Sequence, residues 1–256
     1  MAASLLNEYQ KLIKREYDKE LLLTLLKSTL IIPDDNSTLF ELFCLFKVVF
    51  IIQRTLNIKL NIISKENKEF AIFENETHKI KVFHNSTGSL NFYEKLEELN
   101  PKDYQNINYL KRLVGSKNDY YRIIKSILKA KPKEHLYSGR PDLILEIWKK
   151  ESENINVLEK LYIGEIKYSD NKETFSKGLR ELIEYIHFAK YKKEYLVNCD
   201  EPSRFISEEL KIYGLLIVDD TKYLKVYNEN IEDIEIKIFN SNTLNSFIID
   251  LGAAVS

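Results

Sequence analysis

Two apolar runs near the middle of the chain, PDLILEIW and LYIGEIKY, constrain the fold most, because each resembles a buried strand yet carries charge. Asp142 opens the first run, and 23 positions later Glu165 follows in the second, two residues before Lys167. Side chains alternate along a strand, so Glu165 and Lys167 should point to the same side. The mostly polar run at 149–160 is a suitable connection between neighbouring strands. If the two strands pair, one Asp, one Glu and one Lys meet at a single point of an otherwise apolar sheet.

Two carboxylates and one ammonium group in such a sheet need a compensating arrangement. Burying a Lys beside two acids is unfavourable unless the charges balance one another or a cation joins them. Two oxygen ligands, completed by water and a substrate phosphate, suit Mg²⁺, which prefers octahedral oxygen coordination and seldom uses an all-protein cage. Such an ion can hold a phosphodiester and acidify a water molecule, which the Lys ammonium group can orient. The pattern therefore indicates metal-assisted phosphodiester hydrolysis.

A resemblance to a known family rests on the same residues. The segment Gly139–Asp142 (GRPD), followed by Glu165–Lys167 (EIK), resembles the motif of the PD-(D/E)xK nuclease superfamily. The closest similarity is to the nuclease subunits of McrBC-type modification-dependent restriction systems and to related archaeal and bacterial nucleases. Residues 135–190 carry this resemblance, whereas the alternating segments at 58–84 and the basic block after them contain no motif of the family.

Two predicted helices extend the resemblance. After Lys167 comes ETFSKGLRELIEYIHFA, where members of the family often carry polar residues beside the site; Glu181 and Tyr185 match here, four residues apart on one helix face. Upstream, LFELFCLFKVVF resembles the helix in which many members place an acidic residue, which corresponds to Glu41. Two interpretations of Glu41 stay open, a role at the metal site and neutralisation of Lys47 on a buried helix.

The resemblance implies a role for each of these residues. Two carboxylates, Asp142 and Glu165, together with the main-chain carbonyl of Ile166, would bind Mg²⁺ or Mn²⁺. Lys167 would position the water and stabilise charge, and Glu41 would be an outer or second-metal ligand. The two residues of the later helix would support the lysine or the phosphate. The predicted catalytic residues are Asp142, Glu165, Lys167, Glu41, Glu181 and Tyr185.

A purely structural interpretation of the motif is also open. Asp142 would then cap a turn, and Glu165 and Lys167 would form a surface ion pair on an edge strand, with no metal binding. His135 lies seven residues before Asp142, close enough to enter the site, although a structural role is the simpler interpretation.

The periodicity of the sequence predicts an α/β (α+β) fold. Residues 4–31 and 38–55 have helical spacing, and the second segment is apolar most of the way round and should be buried, with Asn36 or Ser37 as its N-cap. Three alternating segments, NIKLNIIS, EFAIFEN and HKIKVFHN, predict an antiparallel meander. The resemblance implies a restriction-endonuclease-like mixed central sheet flanked by helices, preceded by an N-terminal helical and β-meander region.

We place a boundary between two parts of the chain. Residues 1–134 form the N-terminal helical and β-meander region, whose helix at 38–55 is a candidate for the first helix of the nuclease core. Residues 135–256 form the nuclease core and its C-terminal strands. Residues 92–131 have helical character with loops, and a helix is expected at about 173–193. Further strands are predicted at YGLLIVDD, LKVYNE and IEIKIFN.

Charge is balanced over the whole chain but not locally. Lys and Arg number 38 against 39 Asp and Glu, a net charge of -1, so the chain has no global positive field for nucleic acid. Between residues 111 and 134, however, eight basic residues stand against two acids. This basic segment could track phosphates on its way into the catalytic strand, although a charge run can also be an ordinary solvated helix face. The predicted DNA-binding residues are Arg140, Lys125, Lys129, Lys131, Lys133 and Lys190.

The leading hypothesis is a divalent-metal-dependent DNA endonuclease in restriction, defence or mobile-element DNA processing. The competing class is a catalytically silent DNA-binding or scaffold protein that keeps the nuclease fold; such proteins usually lose a member of the triad, and all three are present here. An RNA-directed nuclease stays open, because no recognisable RNA-binding signature decides the matter. Expected partners are DNA, a second copy of the chain as a homodimer, and a motor or recognition subunit. No apolar run is long enough for a membrane span, so a cytoplasmic location is expected.

Overall fold

A computed structural model of the chain describes its central part and most of its second half. The described residues are 35–56, 58, 60–62, 69–95, 114, 135–152, 155–168, 171–191, 194–196, 206–219, 227–231 and 234–247. Within them the helices are α1 (Asn36–Leu56) and α2 (Lys172–Phe188), with a short 3-10 helix at Thr243–Ser246. The strands are β1 (Leu60–Ile62), β2 (Ala71–Glu74), β3 (His78–His84), β4 (Leu90–Asn91), β5 (Tyr93–Lys95), β6 (His135–Ser138), β7 (Leu143–Ser152), β8 (Ile155–Lys167), β9 (Lys190–Tyr191), β10 (Glu194–Tyr195), β11 (Ile206–Val218), β12 (Tyr227–Ile231) and β13 (Ile234–Asn240).

Eight of these strands form one mixed sheet, in the order β1-β2-β3-β7-β8-β11-β13-β12. Neighbours are antiparallel, except that β11 runs parallel to both β8 and β13. The predicted meander is confirmed, because β1, β2 and β3 are consecutive antiparallel neighbours. Two smaller sheets accompany the large one: β10, β9 and β4 form the first, and β5 and β6 form the second.

Apolar side chains cover both faces of the large sheet. Alternate residues of β7 enter different cores: Leu143 and Leu145 pack in the core that contains α1, whereas Ile144 packs in the core that contains α2. A strand that is buried on both faces needs apolar residues at nearly every position, which explains the almost continuous apolar run LILEIW. The architecture is therefore a mixed sheet flanked by helices.

Helix α1 agrees with the predicted helix at 38–55, but its N-cap differs from the prediction. The Asp35 side chain accepts a hydrogen bond from Thr38 N–H at 2.8 Å and another from the Thr38 hydroxyl at 3.0 Å. These are the contacts of an N-cap residue, so the cap is Asp35 and the prediction of Asn36 or Ser37 is wrong. The N-cap lies only one or two residues before the predicted position. Asp, Asn and Ser can all cap a helix, so the backbone conformation determines which of them does.

Helix α2 connects the parallel strands β8 and β11 and packs against both. Asn171 caps it by accepting a hydrogen bond from Thr174 N–H at 2.7 Å. The helix ends at Phe188, short of the predicted end at 193, because the chain continues into β9. Leu182 and Ile186 face the sheet and are buried.

Two other differences from the sequence prediction concern the extent of strands. The polar run at 149–160 is mostly strand, since β7 continues to Ser152 and β8 begins at Ile155. The segment 92–131, predicted as helical, begins instead with β5, which pairs with β6. The predicted helix at 4–31 lies outside the described residues.

The large sheet extends across the predicted boundary between residues 134 and 135. Strand β3, before the boundary, pairs with β7, after it, over seven residue positions from His78↔Lys149 to His84↔Leu143. The meander and the motif strands therefore share one continuous sheet. Among the described helices, none has the length and apolar character that crossing a membrane would need.

Candidate active site

The two motif strands bring Asp142 and Glu165 together, as the sequence predicts. Asp142 lies immediately before β7, and Glu165 and Lys167 lie at the end of β8. Leu143 pairs with Gly164 in the antiparallel register, which makes Asp142 a cross-strand neighbour of Glu165. The Ile166 N–H donates a hydrogen bond of 2.9 Å to Asp142 Oδ2 and fixes this carboxylate beside the second strand.

Lys167 joins the acids of the strand to those of the helix. Its ammonium group donates a hydrogen bond to Glu165 Oε1 and lies 2.9 Å from Glu181 Oε2 of α2. Glu165 and Lys167 thus point to the same side of β8, the side covered by α2, which confirms the prediction from strand alternation.

The site lies inside the sheet and not on its edge. Strand β8 has β7 on one side and β11 on the other, and Glu165 is almost completely buried, at 1% exposure. The alternative of a surface ion pair on an edge strand is therefore wrong.

Burial raises the pKa of both carboxyl groups, so each is a weaker acid than usual. Burial, reinforced by the negative charge of Asp142, raises the pKa of Glu165 to about 8 despite the opposing effect of Lys167. Burial also raises the pKa of Asp142, and the charge of Glu41 adds to the effect. Two buried acids that both resist ionisation form a site that gains stability from an added positive charge.

The pKa values of Lys167 and Glu181 are shifted in the directions expected of an ion pair. Burial alone would lower the pKa of Lys167, but hydrogen bonding to Glu165 and Glu181 raises this pKa above its ordinary range. For Glu181 burial opposes ionisation, but the contact with Lys167 prevails and lowers the pKa of the carboxyl. Lys167 is therefore a permanent cation at neutral pH.

The absence of a side chain at Gly178 lets α2 approach Lys167 closely. A Cβ atom on Gly178 would lie 2.8 Å from Cγ of Lys167 and 3.3 Å from its Cε. The aliphatic part of the lysine thus passes directly over this glycine, which fixes the direction of the ammonium group toward Glu165 and Glu181.

Glu41 of α1 contacts His84 and Asn85, and the backbone of Asn85 is hydrogen-bonded to that of Asp142. The Oε2 atom of Glu41 lies 3.6 Å from His84 Nε2 and 3.5 Å from the side-chain amide of Asn85. The described contacts of Glu41 are with His84 and Asn85, whereas the Lys47 ammonium group donates a hydrogen bond to the carbonyl of Ser241, so the described contacts favour a place for Glu41 at the site.

Asn85 holds this part of the site through its backbone. It adopts a left-handed conformation with φ of 47°, which Asn tolerates better than most residues. Its N–H group donates a hydrogen bond of 3.0 Å to the Asp142 carbonyl, and its side-chain amide lies 3.0 Å from His84 Nε2. His84, which the sequence gives no reason to select, is brought here by the pairing of β3 with β7.

Two tyrosines form the wall of the site on the α2 side. Tyr185 was predicted; its ring packs edge-on against Phe92 at 6.2 Å. Tyr137 was not predicted, and its ring stacks on Phe188 at 4.1 Å. Gly139 allows the two tyrosines to adjoin, since a Cβ atom there would lie 2.5 Å from Tyr137 Oη and 2.7 Å from the Tyr185 ring.

The predicted DNA-binding residues are only partly described. Arg140 is exposed beside the site. Lys190 was predicted to contact DNA, but its side chain is buried, ion-paired with Glu94 and placed over the ring of Tyr195, so this prediction is wrong. His135 lies on β6, and its side chain is not among those described. The predicted residues outside the described part are Lys125, Lys129, Lys131 and Lys133.

The residues present fit a divalent cation with oxygen ligands. Glu165 Oε2 is buried and accepts no hydrogen bond from the described residues, so it is open to an electron-pair acceptor such as a metal ion. No group of three or more His, Cys, Asp or Glu side chains in the described part of the chain is arranged to hold a metal ion. Two carboxylates suit Mg²⁺, which keeps several water ligands and seldom uses an all-protein cage, and the third predicted ligand, the Ile166 carbonyl, stays a prediction.

No protein-family model, no curated protein and no solved structure matches this chain. The chemistry of the site is carried by its own residues: two converging carboxylates, of Asp142 and Glu165, and one ammonium group held between two acids. Such a set can bind a cation and place a fixed positive charge beside it.

We expect the free energy of unfolding of the metal-free protein to fall as the pH rises from 4.5, the ordinary pKa of a Glu carboxyl, to about 8. Within this window folded Glu165 keeps a proton that the unfolded chain has lost, so folding becomes less favourable as the pH rises, by an amount on the order of several kcal/mol. Asp142, whose pKa is also raised, contributes in the same direction, whereas Glu181 and Lys167 do not interfere, because their pKa values are shifted below and above this window.

Chemical denaturation of wild type and Glu165→Gln at several pH values in a chelator tests this expectation. The Gln variant should show a flatter dependence of stability on pH. Equal slopes in the two proteins would show that Glu165 titrates normally.

Proposed function

We propose that this protein is a divalent-metal-dependent DNA endonuclease that hydrolyses phosphodiester bonds. The observation that carries the proposal is the convergence of Asp142, Glu165 and Lys167 at the ends of β7 and β8, inside an apolar sheet. A charged cluster in such a place is unfavourable for stability, which argues that it has a chemical role.

The fold supports the same proposal. A mixed sheet flanked by helices, with the motif on two adjacent central strands, is the arrangement that the resemblance to the PD-(D/E)xK superfamily implies. We propose on this basis that the fold is restriction-endonuclease-like and that α1, which carries Glu41, is part of the nuclease core.

Each residue has a distinct part in the proposed reaction. Asp142, Glu165 and the Ile166 carbonyl would hold Mg²⁺ or Mn²⁺, which when bound would offset charge on the phosphodiester and make a water molecule more acidic. Lys167, always protonated, orients the attacking water and stabilises charge that develops on the phosphate. Glu181 holds Lys167 in position from α2.

Glu41 also has a part in the proposed metal site. Burial raises the pKa of Asp142 and the charge of Glu41 adds to this effect, while contacts with His84 and Asn85 hold Glu41 on the α1 side of the site. We assign it the part of an outer or second-metal ligand. Tyr185, on the opposite wall, is assigned to support of the phosphate.

The proposal extends to partners and setting. DNA is the proposed substrate, in restriction, defence or mobile-element DNA processing, with a homodimer as a possible cutting unit and a motor or recognition subunit as a possible partner. These assignments rest on the family resemblance and on the basic segment at 111–134.

Incubation of the purified protein with supercoiled plasmid tests the function. Nicked and linear products should form with Mg²⁺ or Mn²⁺ and disappear when a chelator is added. Binding to DNA without cleavage under both metals would favour the competing class, a catalytically silent DNA-binding or scaffold protein. Cleavage of RNA but not DNA under the same conditions would assign the site to an RNA-directed nuclease.

Neutralising the basic segment should weaken DNA binding and flatten its dependence on salt. Each phosphate contact that is lost should reduce the slope of log affinity against log salt by about 0.9, since fewer counterions are released. The rate at saturating DNA should be preserved, because these residues precede the catalytic strand. The substitutions are to Gln at Lys125, Lys129, Lys131 and Lys133.

A binding titration at three salt concentrations measures the slope. The control neutralises two exposed lysines on the large sheet, Lys149 and Lys211, and should leave the slope unchanged. An unchanged slope in the fourfold variant would show that the DNA surface lies elsewhere.

A further inference from the structure

Asn85 connects two acids of the candidate site that belong to different elements. Its N–H group donates a hydrogen bond of 3.0 Å to the carbonyl of Asp142, immediately before β7. Its side-chain amide nitrogen lies 3.5 Å from Oε2 of Glu41, on α1. One residue therefore contacts both the backbone that leads into the catalytic strand and the carboxylate of the first helix.

The chemistry of the neighbouring groups determines the orientation of this amide. A carboxylate oxygen only accepts hydrogen bonds, so the Asn85 side chain presents its NH₂ group to Glu41. The same nitrogen lies 3.0 Å from His84 Nε2. One hydrogen of the NH₂ group is then available to Glu41 and the other to the imidazole ring. His84 Nε2 is therefore a hydrogen-bond acceptor and carries no proton.

The amide serves two acceptors that lie side by side. Glu41 Oε2 and His84 Nε2 are 3.6 Å apart, and their side chains are only 20% and 19% exposed. Buried acceptors need donors, and at such low exposure the protein has to supply most of them. Without the shared NH₂ group, a carboxylate oxygen and an unprotonated ring nitrogen at this distance would repel each other. The position of Glu41 thus depends on the Asn85 side chain.

We propose that Asn85 is a positioning residue for Glu41, and that its amide holds this carboxylate at the site by donating hydrogen bonds to both Glu41 and His84. The amide engages Oε2, so Oε1 is the oxygen that Glu41 would offer to a metal ion. The hydrogen-bond arrangement does not depend on the proposed function. Its effect on metal affinity rests on that function and on the part assigned to Glu41 in it.

Asn85→Gly separates the side chain from the backbone. Asn85 has a left-handed conformation with φ of 47°, which glycine adopts without steric cost. The variant should therefore keep the N–H contact with Asp142 and lose only the amide group. Any change in Glu41 or His84 can then be attributed to the side chain of Asn85.

Nuclear magnetic resonance of the metal-free full chain tests the arrangement through His84. Spectra that correlate ring protons with ring nitrogens show which nitrogen of the neutral ring carries the proton. In wild type the proton should be on Nδ1, because Nε2 accepts the Asn85 amide. In Asn85→Gly it should move to Nε2, which can then donate to Glu41. A wild-type ring with its proton on Nε2, or a ring that is the same in both proteins, would overturn the proposal.

Titration calorimetry with Mn²⁺ tests the positioning role. Asn85→Gly should bind Mn²⁺ about tenfold more weakly than wild type, as is typical when a group that orients a metal ligand is removed. The control is Asn75→Gly, which removes the same side chain from the turn at the opposite end of β3. This variant should bind Mn²⁺ as wild type does.

A double-mutant cycle with Glu41→Gln separates positioning from a general structural effect. If Asn85 acts through Glu41, adding Asn85→Gly to Glu41→Gln should cause no further loss of Mn²⁺ affinity. An equal loss in both backgrounds, or an unchanged affinity in Asn85→Gly alone, would overturn the positioning role. If wild type binds no Mn²⁺, the proposed function fails, and the magnetic resonance spectra still decide the hydrogen-bond arrangement.

Discussion

Glu165→Gln should lower the rate of metal-dependent DNA cleavage by about a thousandfold or more, because a metal ligand and its negative charge are lost. The substitution keeps the shape of a side chain that is buried between β7, β11 and α2. Asp142→Asn should have an effect of similar size, since this carboxylate faces the same point and is fixed there by Ile166 N–H. Single-turnover cleavage of plasmid at saturating Mg²⁺ or Mn²⁺ measures both.

Glu146→Gln is the matched control, because it makes the same change on the neighbouring strand. Glu146 is fully buried in β7, where it accepts hydrogen bonds from the N–H and hydroxyl of Ser89 and from the Trp148 indole. Breaking one of these bonds should destabilise the protein by about 1–3 kcal/mol without lowering the cleavage rate. Full activity of Glu165→Gln, or an equal loss in Glu146→Gln, would refute the assignment of the site.

These two glutamates also show what the sequence can predict about the site and what it cannot. Both are single acids within apolar strand-like runs, so periodicity gives them the same description. The structure separates them, because every oxygen of Glu146 has a partner, whereas Glu165 has one buried oxygen without a hydrogen-bonding partner among the described residues. Only the spacing of Glu165 to Lys167 singled it out in advance.

Elements with strong local patterns were predictable. The alternation of the meander and the apolar character of α1 are properties of consecutive residues, and both are confirmed. The extent of β7 and β8 was not predictable, because polar residues predominate in their outer parts. There backbone pairing between the two strands holds them, together with the burial of Val157 and Leu158.

Contacts between segments that are distant in the chain could not be predicted from the sequence. His84 reaches the site because β3 pairs with β7, and Tyr137 does so because its ring stacks on the end of α2. Lys190 has the sequence context of a surface lysine, but its partner Glu94 is 96 residues away, and their pairing buries both. No local sequence pattern predicts the pairing of two residues so far apart in the chain.

Lys167→Met should reduce the rate of cleavage at saturating DNA and metal by about a hundredfold or more, because the lost charge acts on the transition state. The affinities for DNA and Mn²⁺ should stay close to those of wild type. The variant should fold at neutral pH, since Glu165, whose pKa is raised to about 8, can take up a proton instead of remaining an uncompensated charge. Single-turnover rates and Mn²⁺ titrations on the same preparation separate the two effects.

Lys167→Arg should not restore the rate, although it keeps the positive charge. The lysine passes so close to Gly178 and lies so near Glu165 and Glu181 that a planar guanidinium group would engage both carboxylates with its own fork of donors. The single donor that orients the water would then be displaced. Activity of the Arg variant near that of wild type would mean that Lys167 acts as a general phosphate contact, and the orienting role assigned to it would have to be abandoned.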